Sequence, residues 1–343
     1  MTIFRQSIDR QDFLIKGLPP QINSLLKKAH LPLLNSLEFC TGYEAKSAER
    51  VWIWIKGEEI YKVVFYRVVK KLFLNTVEIV GFPEINDEDI QRLIKMHNAH
   101  LAVVSRMESP IKREQKWHSP QRNVYLKEYI TILKFPKCKN EYLRQLGRKK
   151  RKQLSQNLRK INTYFNDEIE IRYDFDKDIK CEDVVRLEFL NKERRAKRGK
   201  SIDHVLAIQQ RQKHIFPLIH SFGLLVSIRH KGEIIGGNLS FIYENKAYML
   251  VTGHNSAFDD LRVGNMGIWK TVDYLIDNGI TECNFLWGRS PFKTRFLGVE
   301  YPWTQHVISA TPWLAILWKN KLSFGGFYIR CWRFAMTKLG IHK

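Results

Sequence analysis

Between residues 222 and 300 the spacing of apolar positions changes from strand-like to helical and back. Residues 222–228 and 233–243 are apolar runs parted by Arg229-His230-Lys231-Gly232, a glycine-bearing turn, and so predict a hairpin. After the turn Glu244-Asn245-Lys246, residues 247–252 predict a third strand. A polar stretch over 253–262 follows and ends in Val263-Gly264-Asn265-Met266-Gly267. Beyond it Ile268, Val272, Leu275 and Ile276 recur at helical spacing until Asn278-Gly279 offers a left-handed cap. Residues 282–287 predict a closing strand, so the order is three strands, a loop with glycines, a helix and a strand.

The same order recurs earlier in weaker form. Residues 51–55, 60–68 and 72–80 predict strands, Gly81-Phe82-Pro83-Glu84 a loop, 88–97 a short helix and 101–105 a strand. The first turns also match: Lys56-Gly57-Glu58-Glu59-Ile60 and Lys231-Gly232-Glu233-Ile234-Ile235 share four of five residues, at the corresponding point of each run. This predicts a tandem repeat. Between the copies, residues 124–135 predict a strand completing the first domain, and 141–161 a long basic helix with Leu143, Leu146, Leu154, Leu158 and Ile161 on one side. A further helix is expected over 182–196. The expected division is 1–137, 138–310 and a tail over 311–343, with no low-complexity linker, so the domains are expected to pack together.

Charge changes the picture. The 343 residues hold 57 Lys and Arg against 35 Asp and Glu, a net charge of +22. With 44% apolar and 12% aromatic residues the chain can build proper cores, which excludes a disordered basic tail. The excess is local. Residues 142–160 hold eight cations and no acid, 192–200 six cations and one acid, and everything after Glu300 six cations and no acid, which leaves +3 for the rest. Each patch calls for an anionic partner such as phosphate. The five cysteines are scattered without a C-x-x-C pair, so neither a disulfide framework nor a metal site is expected. Residues 1–13 lack an apolar leader core and no stretch reaches the ~18 apolar residues of a spanning helix, so a cytoplasmic location is expected.

A strand, a glycine-bearing loop and a helix start can bind phosphate, because amides converge there and the helix dipole is positive. Arg262-Val263-Gly264-Asn265-Met266-Gly267 has that form. In this context the order of elements resembles the acyl-CoA-binding core of the GNAT acyltransferase superfamily. The segment 267–279, then Asn284-Phe285-Leu286-Trp287-Gly288 and Phe292-Lys293-Thr294-Arg295-Phe296-Leu297-Gly298, is similar to the C-terminal signature of two related groups. These are the CelD-like acyltransferases of cellulose and exopolysaccharide synthesis and the FemAB-like peptide-bridge transferases, both tandem GNAT proteins. The likeness covers residues 140–300 and extends to the first domain in plan only. The chain departs from the superfamily's Gln/Arg-x-x-Gly-x-Gly/Ala loop: with Gly264 as its first glycine, Leu261 takes the Gln/Arg place and Met266 the last, and Arg262 is one position off.

The resemblance implies an α+β fold of two tandem GNAT-like domains, mixed sheets flanked by helices, and direct transfer from acyl-CoA to an amine or hydroxyl. Amides near Val251 and Thr252 would polarise the thioester, and Arg262, Gly264, Asn265 and Gly267 would hold the pyrophosphate. His254 is the first candidate base, with Asp259 and Asp260 behind it; Lys293 would stabilise charge developing on the donor. His97 and His100 lack a carboxylate at metalloprotease spacing and read as two exposed histidines at a helix end.

The basic helix lacks interleaved aromatics for base stacking, which favours CoA phosphates, an anionic glycan carrier or a membrane over nucleic acid. Residues 301–343 carry Trp303, Trp313, Trp318 and Trp332 among cations without acids, the composition of a segment lying at an anionic membrane's inner face. The reading is an acyltransferase acting on a saccharide or lipid-linked intermediate of cell-envelope polysaccharide synthesis, with the first domain a degenerate copy supporting the acceptor cleft. The alternatives are a FemAB-like transferase drawing on aminoacyl-tRNA and a non-catalytic basic module that binds nucleic acid or membrane.

Overall fold

The computed structural model describes residues 9–28, 48–56, 59–71, 74–81, 85–108, 122–197, 199, 212–309, 311 and 314. The matching turn at 57–58, loop residues 82–84, Arg198, Lys200 and all of the expected tail except Thr311 and Leu314 lie outside them. By contacts the chain divides into two compact units, Met1–Lys127 with Pro302–Lys343, and Glu128–Tyr301.

The first unit contains β1 (Asp9–Leu14), α1 (Pro20–Lys28), β2 (Arg50–Lys56), β3 (Glu59–Lys71), β4 (Leu74–Val80), α2 (Asp87–Met96), β5 (Leu101–Glu108) and β12 (Val299–Ser309). Its strands run in the order β1-β2-β3-β4-β5-β12. All neighbours are antiparallel except β4 and β5, which stay paired over four residues, Thr76 to Ile79. β2 shows why the chain reads as continuously apolar here. Val51 and Ile53 face one side and pack with Ile22 and Leu26 of α1; Trp52 and Trp54 face the other and pack with Ile90, Leu93 and Ile94 of α2. Both faces are covered, so alternation gives way to an unbroken run. α2 starts where Asn86 accepts the amide of Asp89 at 2.9 Å.

The second unit contains β6 (Arg122–Lys134), α3 (Lys139–Tyr164), β7 (Ile169–Phe175), α4 (Cys181–Lys197), α5 (Gln212–Phe222), β8 (Gly223–His230), β9 (Glu233–Tyr243), β10 (Lys246–His254), α6 (Val263–Asp277), β11 (Glu282–Trp287) and α7 (Pro291–Arg295). The order is β7-β8-β9-β10-β11-β6, the same plan as the first unit, again with one parallel pair, β10 and β11. α3 and α6 cover one face through Tyr142, Leu146, Ile268, Val272 and Leu275, while α4 packs on β10 and β9.

Three expectations are corrected. The strand over 124–135 does not complete the first domain: Lys134, Leu133, Ile132 and Ile130 pair with Glu282, Cys283, Asn284 and Trp287 of β11. The corresponding place beside β5 is filled by β12, from the far end of the chain. The basic helix is broken at Gly147, whose φ of 76° and ψ of 157° no helix interior adopts and which glycine reaches without a Cβ clash. His97 is not exposed: it is half-buried, with Nε2 2.7 Å from the Tyr66 hydroxyl, which also donates to Asp12 at 2.6 Å. Burial holds the His97 imidazole below its ordinary pKa, against the opposing pull of Asp12. Among the described residues, no helix is long and apolar enough to cross a membrane.

Candidate active site

The site begins where two parallel strands part. β10 and β11 are paired only from Lys246 to Tyr248 against Glu282 to Asn284. Beyond Tyr248 and Asn284 each strand leaves the ladder by its own irregularity. In β10, Met249 faces Ser240 but Val251 faces Leu239, so Leu250 is an extra residue without an opposite number on β9. In β11, Leu286 takes a left-handed φ of 53°, and its amide donates to the Asn284 side chain at 2.8 Å. In the first unit β4 and β5 stay paired to Ile79, one residue short of the end of β4. Among the described residues, therefore, the second unit alone opens its parallel pair.

Above the opening, β10 ends in His254 and the chain makes a short 3-10 turn, Ser256–Leu261. His254 is 7% exposed, and its Nε2 lies 2.7 Å from Asp259 Oδ1. The other edge of the ring rests on the backbone of α6. A Cβ on Gly264 would stand 2.3 Å from His254 Nδ1 and 2.8 Å from Cε1, so only glycine fits. The helix starts five residues earlier than its apolar spacing predicts, at Val263, with Arg262 as a left-handed N-cap. The amides of Asn265 and Met266 are donated to the Arg262 carbonyl at 3.0 and 3.1 Å. That leaves the amides of Val263 and Gly264 as the donors that helix geometry does not engage. Gly267 is turned to the sheet instead, where a Cβ would meet Asn238 Nδ2 at 3.2 Å.

Lys293 lies in α7, 5% exposed. Its ammonium donates to the carbonyls of Leu286 at 3.1 Å and Gly288 at 2.8 Å, two residues with positive φ. The side chain thus ties down the irregular end of β11. Gly298 sits behind it, because a Cβ there would come 2.9 Å from the Lys293 carbonyl. Lys293→Met, which keeps the bulk and removes the donors, is expected to cost about 2–3 kcal/mol of unfolding free energy in denaturant titration. An unchanged stability with lost turnover would return Lys293 to a direct part in the chemistry.

These parts surround a cleft of about 530 Å³. Of the residues singled out from sequence, Thr252, His254, Asp259, Asp260, Arg262, Gly264, Asn265 and Lys293 line it, and Val251 and Gly267 do not. Sequence reasoning missed Leu250, Asn191, Arg289 and the part played by Arg194 and Arg195, which it saw only as a basic patch. Arg289 lies 3.7 Å over the Tyr129 ring and bonds Glu300 at 2.8 Å. Nearby, the Lys150 ammonium lies 4.8 Å over the Phe296 ring, and burial, then the charge of Arg295, lowers its pKa. On the far side of α3 the cations Arg148, Lys149, Lys152, Arg159 and Lys160 are exposed while Leu154, Asn157 and Ile161 are buried.

Residues 148–294 match the family described as an acetyltransferase (GNAT) domain. No curated protein matches the sequence. Among solved structures, the crystal structure of FemX is similar with a TM-score of 0.63 at 10% identity, over 90% of this chain and 99% of that one. A conserved protein of unknown function from Bacteroides thetaiotaomicron is similar with a TM-score of 0.51 at 11% identity, over 88% and 100%. At such identities the likeness is one of fold, the mixed sheets flanked by helices described above.

Proposed function

We propose, from the match of residues 148–294 to an acetyltransferase (GNAT) domain, that the protein transfers an acyl group from acyl-CoA to an amine or hydroxyl of a saccharide or lipid-linked intermediate in cell-envelope polysaccharide synthesis, as in the CelD-like group. The observation that carries the reading is the parting of β10 and β11 after Tyr248 beside the buried His254–Asp259 pair. The thioester arm would lie in the gap between the strands. Its pyrophosphate would take the amides of Val263 and Gly264 and the Arg262 guanidinium at the start of α6. The bulge at Leu250 turns a backbone amide out of the ladder, close to Val251 and Thr252, where it can polarise the thioester carbonyl.

The chemistry follows from these positions. The acceptor nitrogen or oxygen forms a bond to the thioester carbon while its proton passes to the His254–Asp259 pair, and the carbon–sulfur bond breaks to release CoA as the thiolate. Asp259 steadies the imidazolium so formed. The first unit, whose parallel strands stay paired, is a non-catalytic copy. The aromatic basic tail would serve as a contact with the inner face of an anionic membrane.

Calorimetric titration with acetyl-CoA and longer acyl-CoAs tests the reading. Saturable binding of at least one of them is expected. Failure of all to bind, with tight binding of RNA, would favour the non-catalytic module. A second reading, an aminoacyl-tRNA donor as in the FemAB-like group, is supported by the exposed cations of α3 from Arg148 to Lys160. It requires transfer from aminoacyl-tRNA in the absence of any acyl-CoA.

A further inference from the structure

One amine of the basic helix differs from the cations around it. Lys149, Lys152 and Lys160 are exposed, whereas Lys150 is half-buried. The reason is its place on the helix. Arg148, Lys152 and Arg159 stand at i, i+4 and i+11 and form a row on the solvent side, while Lys150 shares a face with Leu154, Asn157 and Ile161, which follow it by four, seven and eleven residues and are buried. Its stem therefore lies along the core, and the ammonium ends 4.8 Å over the fully buried Phe296 ring.

Three features of the fold act against a charge there. Packing on the ring takes water from the ammonium, and a ring face returns only about 0.5–2 kcal/mol of attraction. Arg295 of α7, whose field reaches the amine, has the same sign. Lys150 also stands in the first turn after the break at Gly147, where the amides of the restarted helix present their positive ends. Among the described residues no carboxylate pairs with it. Burial first, and then Arg295, hold its pKa below the ordinary lysine range. A lysine that is desolvated, or that stands next to another cation, keeps enough free amine at neutral pH to act as a nucleophile. Arg295 itself lines the cleft, with Phe292 and Lys293 of the same short helix. The amine thus stands behind the wall of the cleft in which the thioester is placed above.

We propose that Lys150 is a self-acylation site, a lysine of the protein's own chain that takes an acyl group from an acyl thioester. The lone pair of Nζ forms a bond to the thioester carbon, the carbon–sulfur bond breaks, and the proton lost by the nitrogen passes through water to the thiolate. The products are an amide on Lys150 and the free thiol. The amide carries no charge, so the modification relieves the repulsion from Arg295. The inference takes its donor from the acyl-transfer reading of the cleft, but the reactivity of the amine can be tested without it.

The full-length protein incubated with acetyl-CoA near neutral pH, with no acceptor present, provides the test, and the modified lysines are located by peptide mass mapping. Lys150 is expected to gain an acetyl group at least about fivefold faster than Lys149 or Lys152. Trace acetic anhydride, which needs no binding site, should give the same ranking. In urea-unfolded protein the lead should vanish, because it comes from packing and not from local sequence. Lys150→Arg, which keeps the charge, should abolish the fast modification; if that variant melts early, the ratio within the parent protein decides alone. Equal rates at the three lysines, or a lead that persists in the unfolded chain, overturns the proposal. Acetyl-CoA that binds by calorimetry but leaves Lys150 unmodified also overturns it, and the acyl-transfer reading then stands. Should acetyl-CoA show no saturable binding while Lys150 still leads with both reagents, the acyl-transfer reading falls and the self-acylation site stands.

Discussion

His254→Ala is expected to lower kcat by about a hundred- to ten-thousandfold while acetyl-CoA still binds. The imidazole lines the cleft at the end of β10. It is 7% exposed, bonded through Nε2 to Asp259 at 2.7 Å, and braced from the other edge by Gly264. A base acts in its neutral form, so any limb of the kcat/KM profile that this imidazole sets should be present in the parent enzyme. The variant should lose that limb. Asp259→Asn keeps a polar partner but removes the charge that steadies the imidazolium, and a smaller fall is expected from it. The measurement is a pH–rate profile of all three proteins with a thermal melt beside each. A His254→Ala enzyme that keeps its rate within about threefold would remove the residue from the chemistry.

Gly264→Ala carries the second large effect, and its sign is unusual. Alanine for glycine inside a helix ordinarily stabilises by about 0.5–1 kcal/mol. Here the added methyl would stand 2.3 Å from His254 Nδ1, so the ring or the start of α6 has to move. A loss of about 1–3 kcal/mol in stability is expected from such overpacking. Turnover should fall as far as in His254→Ala, because the ring cannot keep both Asp259 and its place against the helix. The two residues form a clean cycle. With His254 already replaced by alanine the obstacle is gone, and Gly264→Ala should become stabilising. A destabilisation of the same size in both backgrounds would show that the glycine is needed for some other reason.

Much of the second unit was readable before any fold was known. The runs 222–228, 233–243, 247–252 and 282–287 correspond to β8, β9, β10 and β11, since their apolar residues and turns are local signals. The start of α6 was misread because its first turn, Val263 to Gly267, carries two glycines that look like loop. They are there for different reasons, one to admit His254 and the other to admit Asn238. The break at Gly147 was hidden by the regular leucines on either side of it. A pattern of aromatic, lysine and glycine singles out Lys293 but does not reveal that its ammonium donates to the carbonyls of Leu286 and Gly288.

Local chemistry was enough to establish the repeated order of elements, the type of the elements in the two repeated runs and the residues at the end of the third strand, because hydrophobic period, turn residues and helix caps act over a few positions. It could not assign β6 to β11 and β12 to β5, since a strand's apolar face is equally served by either sheet and the choice lies in distant partners. Nor could it reveal that β10 and β11 part after Tyr248, that Leu250 is the extra residue, or that Gly253 lets α4 lie directly on β10. Those are matters of register and of close approach between backbones, and both arise only when segments far apart in the chain are packed together.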